Sequence, residues 1–184
     1  MQVLATLSIL AYPFVILFGL AYFEPRHVGM GLLVLLLVRM KINIQSIFSA
    51  FPRPYLFIML GLAVFLCCIL VSNDPLLLRL YPAAVNLGVW LLFTLSLRYP
   101  PSMVERFARM QQPDLPPAAV SYTRNVTRIW SIFLLLNTGI SIYTALYASK
   151  AVWALYNGFI TYLAMGALFI GEWLFRRYWI QQAS

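Results

Sequence analysis

Six apolar stretches, separated by polar segments, follow one another along the chain. A helix that crosses the hydrocarbon core of a bilayer needs about 20 mostly apolar residues. The pattern therefore predicts an all-α fold, a polytopic transmembrane helical bundle that forms a single domain over residues 1–184. The predicted spans are 4–23, 27–44, 55–71, 76–97, 118–147 and 151–175, and residues 98–117 form the long cytoplasmic loop.

The second predicted span is the weakest, because its apolar run is short and ends at Val38. It crosses the bilayer only if the helix continues past Arg39 and Lys41, whose long stems let their charges reach the interface. Without it the chain has five spans, which is the alternative. Basic residues of membrane proteins concentrate in cytoplasmic loops, and this rule favours six spans with both termini in the cytoplasm. The cytoplasmic group is then Arg39, Lys41, Arg53, Arg98, Arg106, Arg109, Arg124, Arg128, Arg176 and Arg177, against Arg26, Arg79 and Lys150 outside.

The composition excludes a water-soluble protein. Of the 184 residues, 62% are hydrophobic and 10% are charged, and the mean hydropathy is +0.84, whereas soluble domains carry about 25% charged residues. In a soluble protein the net charge of +8 would suggest nucleic acid as a partner, but here the basic loops account for it. We expect membrane lipids as partners and no nucleic acid. The N-terminal apolar run lacks the pattern of a cleaved signal peptide and predicts a retained helix.

The sequence contains no recognisable motif for catalysis, for a cofactor or for a metal ion. There is one histidine, and the two cysteines, Cys67 and Cys68, are adjacent inside an apolar run. That placement is typical of buried apolar cysteine rather than of a metal site. The carboxylates fall on both predicted faces of the membrane. The sequence thus predicts a protein that is not an enzyme and binds no cofactor.

The long loop contains a short amphipathic helix. Ser102 and Glu105 have the spacing of a capping box, and the helix that follows would present Met103, Phe107 and Met110 to lipid. Such a helix can be a docking surface, for a soluble partner or for anionic lipid headgroups. Alternatively, it is an ordinary interfacial anchor. The candidate contacts to a partner or to headgroups are Arg79, Glu105, Arg106 and Arg109.

Polar side chains inside the predicted spans form a second candidate site. Such groups are costly in hydrocarbon, so each is a functional candidate. They would form a polar seam between helices that binds a headgroup or passes a solute. Alternatively, they only hydrogen-bond the helices to one another, which contributes about 0.6 kcal/mol per bond. Glu172 also has the i,i+4 spacing of an ion pair with Arg176. The candidate seam is Asn86, Asn137, Ser141, Asn157, Thr161 and Glu172.

Several short segments, in order along the chain, carry a family likeness. They are Tyr12–Val15, Asn73–Asp74, Pro82 with Asn86, Arg98–Pro100, Met103–Val104, Arg106–Phe107, Leu115–Pro116, and Trp130, Phe133 and Asn137. Together they resemble the bacterial intracellular septation protein A family of small inner-membrane proteins. The segments Ser102–Arg109 and Trp153–Gly158 look closer to a sister group that accompanies acyl-carrier-protein-dependent lipid synthesis, such as aryl polyene pathways. The resemblance implies a role in the envelope of a Gram-negative bacterium and supplies no catalytic residue.

Two functions are compatible with these patterns. The first is a non-enzymatic inner-membrane protein with an accessory or scaffolding role in division, peptidoglycan synthesis or envelope-lipid synthesis. It would bind envelope-biogenesis proteins through the cytoplasmic loop. The second is a small oligomeric transporter or lipid-translocating protein that uses the polar seam. The partner, the ligand and the oligomeric state, including a homo-oligomer, stay open.

Overall fold

The computed structural model describes residues 26–28, 30–32, 34 and 54–182. Within them the chain is helical apart from short turns and contains no strand, which confirms the predicted all-α fold. The predicted span 4–23 and most of the span 27–44 lie outside the described residues. The helices are α1 (Pro54–Ser72), α2 (Pro75–Arg98), α3 (Met103–Gln111), α4 (Pro117–Tyr147), α5 (Lys150–Leu155) and α6 (Thr161–Gln182), and a π-helical segment (Tyr156–Ile160) joins α5 to α6.

A two-residue turn reverses the chain between α1 and α2. Asn73 adopts φ 49°, a left-handed conformation that asparagine tolerates better than most residues. Asp74 is the N-cap of α2, and its Oδ1 accepts a hydrogen bond from the backbone N–H of Leu76 at 2.8 Å. Pro75 follows at the first helical position, where its missing N–H removes no helical hydrogen bond. The local sequence therefore dictates a tight helical hairpin.

Two contacts show that α2 runs antiparallel to α4. Near the start of α2, Nη2 of Arg79 donates to the carbonyl oxygens of Thr144 (3.0 Å) and Ala148 (2.7 Å) at the end of α4. Near the end of α2, the hydroxyls of Thr94 and Ser131 share a hydrogen bond of 2.6 Å. The α1–α2 and α4–α5 turns therefore lie at one end of the bundle, the turn end. Helix α3 lies at the opposite end, the connector end.

Within the described residues, three helical segments are long and apolar enough to cross a membrane: Pro75–Arg98, Pro117–Tyr147 and Lys150–Tyr178, with 24, 31 and 29 residues. The apolar stretch Phe57–Ser72 of α1 is shorter. Large apolar side chains lie on the outside of these helices, and Ile132 and Phe169, for example, are each 62% exposed. The lengths and the apolar exterior are compatible with a membrane protein whose outer side chains face lipid.

A small apolar core lies near the turn end. It consists of Val28, Leu32, Leu66, Ile69 and Leu78. Val28 and Leu32 belong to the predicted second span, and the described residues of that span are helical. The backbone N–H of Arg26, just before them, donates to Oδ1 of Asn73 at 3.0 Å. The start of the second span is thus packed against α1 and α2.

The buried face of α4, in contrast, is mainly polar. Hydroxyl and amide side chains on this face are at most 7% exposed. Apolar side chains gain little from leaving lipid, whereas small and polar side chains allow close packing and hydrogen bonds between helices. Helix α4 therefore turns polar groups towards its neighbours and apolar groups outward. The buried polar residues are Thr123, Thr127, Ser131, Asn137, Thr138, Ser141 and Thr144.

Candidate functional site

Part of this polar face meets residues 156–161, which are the π-helical segment and the first residue of α6. The two sides contribute three side chains each, and we call the group the polar cluster. Five of the six are buried, and the sixth, Tyr156, is half-buried. The polar cluster is Asn137, Ser141 and Thr144 from α4 and Tyr156, Asn157 and Thr161 from the facing segment.

Hydrogen bonds between the two elements run through the side-chain amides. Oδ1 of Asn137 accepts from the hydroxyl of Tyr156 at 2.7 Å and from the hydroxyl of Thr161 at 3.2 Å. Two turns further along α4, Oγ1 of Thr144 accepts from Nδ2 of Asn157 at 3.2 Å. The structure thus brings Asn137, Asn157 and Thr161 of the predicted seam together, and Ser141 lies between the two bonded rows.

The π-helical segment is centred on this contact. Nδ2 of Asn157 also donates to the backbone carbonyl of Trp153, four residues earlier, at 3.0 Å. A side chain that bonds to a carbonyl of its own helix competes with the regular backbone ladder and locally changes its geometry. Single π-helical turns inside α-helices occur frequently at functional sites. Here the widened turn lets the neighbouring residues Tyr156 and Asn157 both hydrogen-bond to α4.

At the turn end of the cluster, Arg79 and Trp153 hold three elements together. The two hydrogen bonds from Arg79 cap the carbonyl end of α4, where a positive charge is favourable. Nε1 of Trp153 donates to the backbone carbonyl of Arg79 at 2.9 Å, and the guanidinium carbon lies 6.0 Å from the centre of the indole ring. Trp153 is 1% exposed. Contact of Arg79 with headgroups stays a prediction, and the structure gives its Nη2 an internal role.

Asn86 lies at the level of the polar cluster. It follows Arg79 by seven residues and precedes Thr94 by eight, so all three share one face of α2. Arg79 and Thr94 both bond to α4, which orients this face towards α4. The antiparallel register puts Asn86 level with about residue 140 of α4. Its side chain is 9% exposed.

Glu172, in contrast, is separated from the amides. Its Oε1 accepts from the hydroxyl of Tyr122 at 2.9 Å and lies 3.4 Å from Nε of Arg176, which is the predicted i,i+4 ion pair. Tyr122 also stacks on Phe175, with ring centres 6.4 Å apart. Tyr122 precedes Asn137 by 15 residues, which corresponds to about 22 Å along α4. The predicted seam therefore divides into four residues of the polar cluster, Asn86 at the same level on α2, and a separate contact of Glu172 at the connector end.

Three buried polar atoms of the cluster have no hydrogen-bond partner among the described residues. They are Nδ2 of Asn137, Oγ of Ser141 and Oδ1 of Asn157. The three residues are 2%, 0% and 8% exposed, respectively. Buried polar groups are normally paired, so each exception needs an explanation.

A buried carboxylate organises the connector end. Glu105 is 6% exposed; its Oε2 accepts from the backbone N–H of Ser102 at 3.2 Å, which is the carboxylate half of the predicted capping box. Its Oε1 accepts from Nε and Nη2 of Arg109 at 2.9 and 2.8 Å. Nη1 of Arg109 in turn donates to the carbonyl of Pro113 at 2.9 Å. Glu105 and Arg109 thus tie the start of α3 to the chain that follows it.

Helix α3 is attached to the bundle by its first turn. The backbone N–H of Met103 donates to Oγ of Ser96 at 2.9 Å, and that of Val104 donates to Oγ1 of Thr127 at 3.2 Å. The expectation that Met103 faces lipid is wrong, because its side chain is 3% exposed. The free N–H groups of the first turn need acceptors. Hydroxyls on α2 and α4 are these acceptors, and the bonds to them place the first turn of α3 against the bundle.

The rest of α3 presents apolar side chains outward, beside arginines. Phe107 and Met110 of α3 are 53% and 82% exposed, and Tyr99, directly after α2, is 57% exposed. Arg106, by contrast, donates from Nε to the carbonyl of Pro101 at 2.9 Å and so supports the loop. The exposed arginines nearby are Arg98, Arg124 and Arg128. These exposed apolar and arginine side chains together form the connector surface.

The sequence reasoning did not single out three residues of the site: Thr144, Trp153 and Tyr156. Thr144 follows Asn137 by seven residues and Trp153 precedes Asn157 by four, so helical spacing alone places them on the same faces. Tyr156 breaks that spacing. It reaches α4 because the π-helical turn alters the register, and helical periodicity in the sequence does not reveal such a turn.

The chemistry of the cluster is hydrogen bonding. Amides and hydroxyls are neutral at ordinary pH, and within the described residues no group of three or more His, Cys, Asp and Glu side chains is arranged to hold a metal ion. The arrangement can bind a neutral polar ligand or hold helices together. Acid–base chemistry would need other groups.

No protein-family model matches the chain, and comparisons with curated proteins and with solved structures find no match either. The function is therefore inferred from the residues of the chain. The resemblance to the septation protein family stays a prediction.

We expect Tyr156→Phe to lower the free energy of unfolding by about 1 kcal/mol, within the range found for single hydrogen bonds inside membranes. The variant loses the phenol hydroxyl that donates to Asn137, whose Oδ1 keeps Thr161 as a donor. The measurement is reversible unfolding of the purified protein in mixed micelles. Tyr147→Phe, at a site that is 76% exposed, is the matched control and should leave stability unchanged. Equal effects of the two variants would contradict the assignment.

We expect Glu105→Ala to accelerate proteolytic cleavage within α3 about tenfold, because hydrogen bonds to a charged group contribute about 1.5–3 kcal/mol. The variant removes the acceptor that joins Ser102 to Arg109. Asp114→Ala, which removes an exposed carboxylate from the same loop, is the control and should not change the rate. Identical cleavage of both variants and the parent would show that Glu105 does not order the connector.

Proposed function

We propose that the chain is a multi-pass protein of the bacterial inner membrane, with six spans and with the connector end and both termini in the cytoplasm. The distribution of basic residues in the described part supports this orientation, because cytoplasmic loops retain positive charge. The turn end carries Arg26, Arg79 and Lys150. The connector end carries Arg98, Arg106, Arg109, Arg124, Arg128, Arg176 and Arg177.

The function that the geometry supports best is a non-enzymatic accessory or scaffolding role in the cell envelope, in division, peptidoglycan synthesis or envelope-lipid synthesis. The connector surface is the single observation that carries it. Glu105, Arg109 and the hydroxyls of Ser96 and Thr127 hold α3 in one place. An ordered helix that exposes large apolar side chains beside arginines is suited to bind a protein with an acidic, partly apolar surface. The family resemblance points to the same compartment.

Site-specific photo-crosslinking in living cells tests this role. Phe107→p-benzoylphenylalanine and Met110→p-benzoylphenylalanine should each give an adduct with the same envelope-biogenesis protein. The control is Ile132→p-benzoylphenylalanine on the outward face of α4, which should give no such adduct. Lipid adducts alone at positions 107 and 110, or the same protein adduct at position 132, would reject docking of a partner at the connector surface.

A second candidate, a small oligomeric transporter or lipid-translocating protein, is favoured by the unpartnered polar atoms beside the π-helical segment. Flux of solutes or lipids in proteoliposomes tests it. Asn137→Leu and Asn157→Leu should abolish the flux if the polar cluster lies on the path. Thr138→Val is the control, because the Thr138 hydroxyl bonds to Leu134 of its own helix. No flux in the parent, or unchanged flux in both amide variants, would reject transport through the cluster.

A further inference from the structure

The three unpartnered atoms of the polar cluster belong to side chains on facing elements. Asn137 and Ser141 are one turn apart on α4, about 6 Å along the helix axis. Asn157 faces them, because its Nδ2 bonds to Thr144, three residues beyond Ser141. Ser141 therefore lies on α4 between the bonds at Asn137 and the bond at Thr144, and Asn157 lies opposite this stretch of α4.

Leaving such atoms unpaired is unfavourable. A buried donor or acceptor without a partner loses its hydration and gains nothing in return. The other polar atoms of these side chains are bonded, which shows that the cluster is built to satisfy its groups. Native proteins commonly complete such sites with a buried water that makes about three hydrogen bonds.

The orientation of Asn157 is determined by its neighbours. Its amide faces the carbonyl of Trp153, which can only accept, so the facing atom must be the donor Nδ2. The unpartnered atom of Asn157 is thus the acceptor Oδ1. Asn137, whose Oδ1 accepts from two hydroxyls, offers the donor Nδ2 instead.

This pair of atoms selects the ligand. A cation would be repelled by the N–H groups of Asn137, and an anion would be repelled by Oδ1 of Asn157. The ligand must both accept and donate a hydrogen bond and must be small enough for a site with no exposed surface. Water meets all of these conditions.

We propose that one water molecule is bound between α4 and the π-helical segment. It accepts from Nδ2 of Asn137, donates to Oδ1 of Asn157 and exchanges a third hydrogen bond with Oγ of Ser141. The water holds the π-helical segment against α4 at the point where the two amides do not bond each other directly. This site is independent of the connector surface and of the proposed accessory role.

An experimental structure of the protein in lipid nanodiscs, at a resolution that shows ordered water, tests the site directly. The expected result is a peak of solvent density about 2.7–3.2 Å from all three atoms. A direct hydrogen bond between Asn137 and Asn157, or a protein or lipid atom in that position, would overturn the proposal.

The change in the unfolding midpoint of Ser141→Ala provides a second test. Its direction depends on whether a water bonds to Oγ of Ser141. If a water bonds to Oγ, the variant loses that bond and its unfolding midpoint falls by about 2–4 °C. If Oγ is truly unpaired, removing it leaves the midpoint unchanged or raises it, and the proposal fails. Thr138→Val is the control and should shift the midpoint by less than Ser141→Ala does.

Discussion

Trp153→Ala is expected to lower the free energy of unfolding by about 3–5 kcal/mol, the usual range for removing a large aromatic side chain from a packed interior. Trp153 is 1% exposed and belongs to the buried cluster that includes Ala145. Its indole N–H also bonds to the carbonyl of Arg79. The variant therefore creates a cavity and breaks the contact between α5 and α2 in one step.

Trp173→Ala is the matched control for this prediction. Trp173 is 47% exposed on α6, so lipid or detergent fills the space that its ring leaves. We expect a loss of stability that is less than half of that in Trp153→Ala, measured by the same reversible unfolding in micelles. Comparable losses in the two variants would show that Trp153 is not part of the interior.

The second large effect is expected for Arg79→Leu, which should lower the free energy of unfolding by about 2–4 kcal/mol. The variant removes two hydrogen bonds from a charged donor to the carbonyls of Thr144 and Ala148, and such bonds contribute about 1.5–3 kcal/mol each in favourable cases. The end of α4 would then lack its cap. Amide exchange of the residues near the α4–α5 turn should rise together with the loss of stability.

Lys150→Leu separates this effect from a general loss of positive charge. Lys150 is exposed at the same end of the bundle, so its removal changes the charge there without removing a cap. We expect the free energy of unfolding of Lys150→Leu to equal that of the parent protein. A loss as large as that of Arg79→Leu would assign the effect to charge rather than to the hydrogen bonds.

Local patterns predicted much of the site. The spacing of Asn137 and Ser141, and that of Asn157 and Thr161, predicts one polar face on each helix, and the structure brings these two faces together. The spacing of Ser102 and Glu105 likewise predicts the start of α3. These features depend on helical periodicity and on end-capping, which act over a few residues and are therefore visible in the sequence.

Contacts that depend on tertiary register could not be predicted in this way. An arginine near a helix start at the membrane face can bind headgroups or a neighbouring helix equally well. The bonds of Arg79 to α4 can therefore be identified only from the tertiary structure. The burial of Met103 also depends on tertiary contacts, because hydroxyls of two other helices bond to the first turn of α3. Glu172 bonds to Tyr122, far from the amides, for the same reason. The π-helical turn at Asn157 is likewise a product of side-chain contacts and not of local propensity.

Cysteine labelling tests directly whether the connector end and the turn end of the bundle lie on opposite sides of the membrane. Cys67→Ala and Cys68→Ala remove the native thiols, and Met110→Cys and Lys150→Cys then mark the connector end and the turn end. A membrane-impermeant maleimide is applied to spheroplasts and to inverted membrane vesicles. We predict that the thiol at position 150 reacts only in spheroplasts and the thiol at position 110 only in inverted vesicles. Reaction of both positions from the same side would contradict the account.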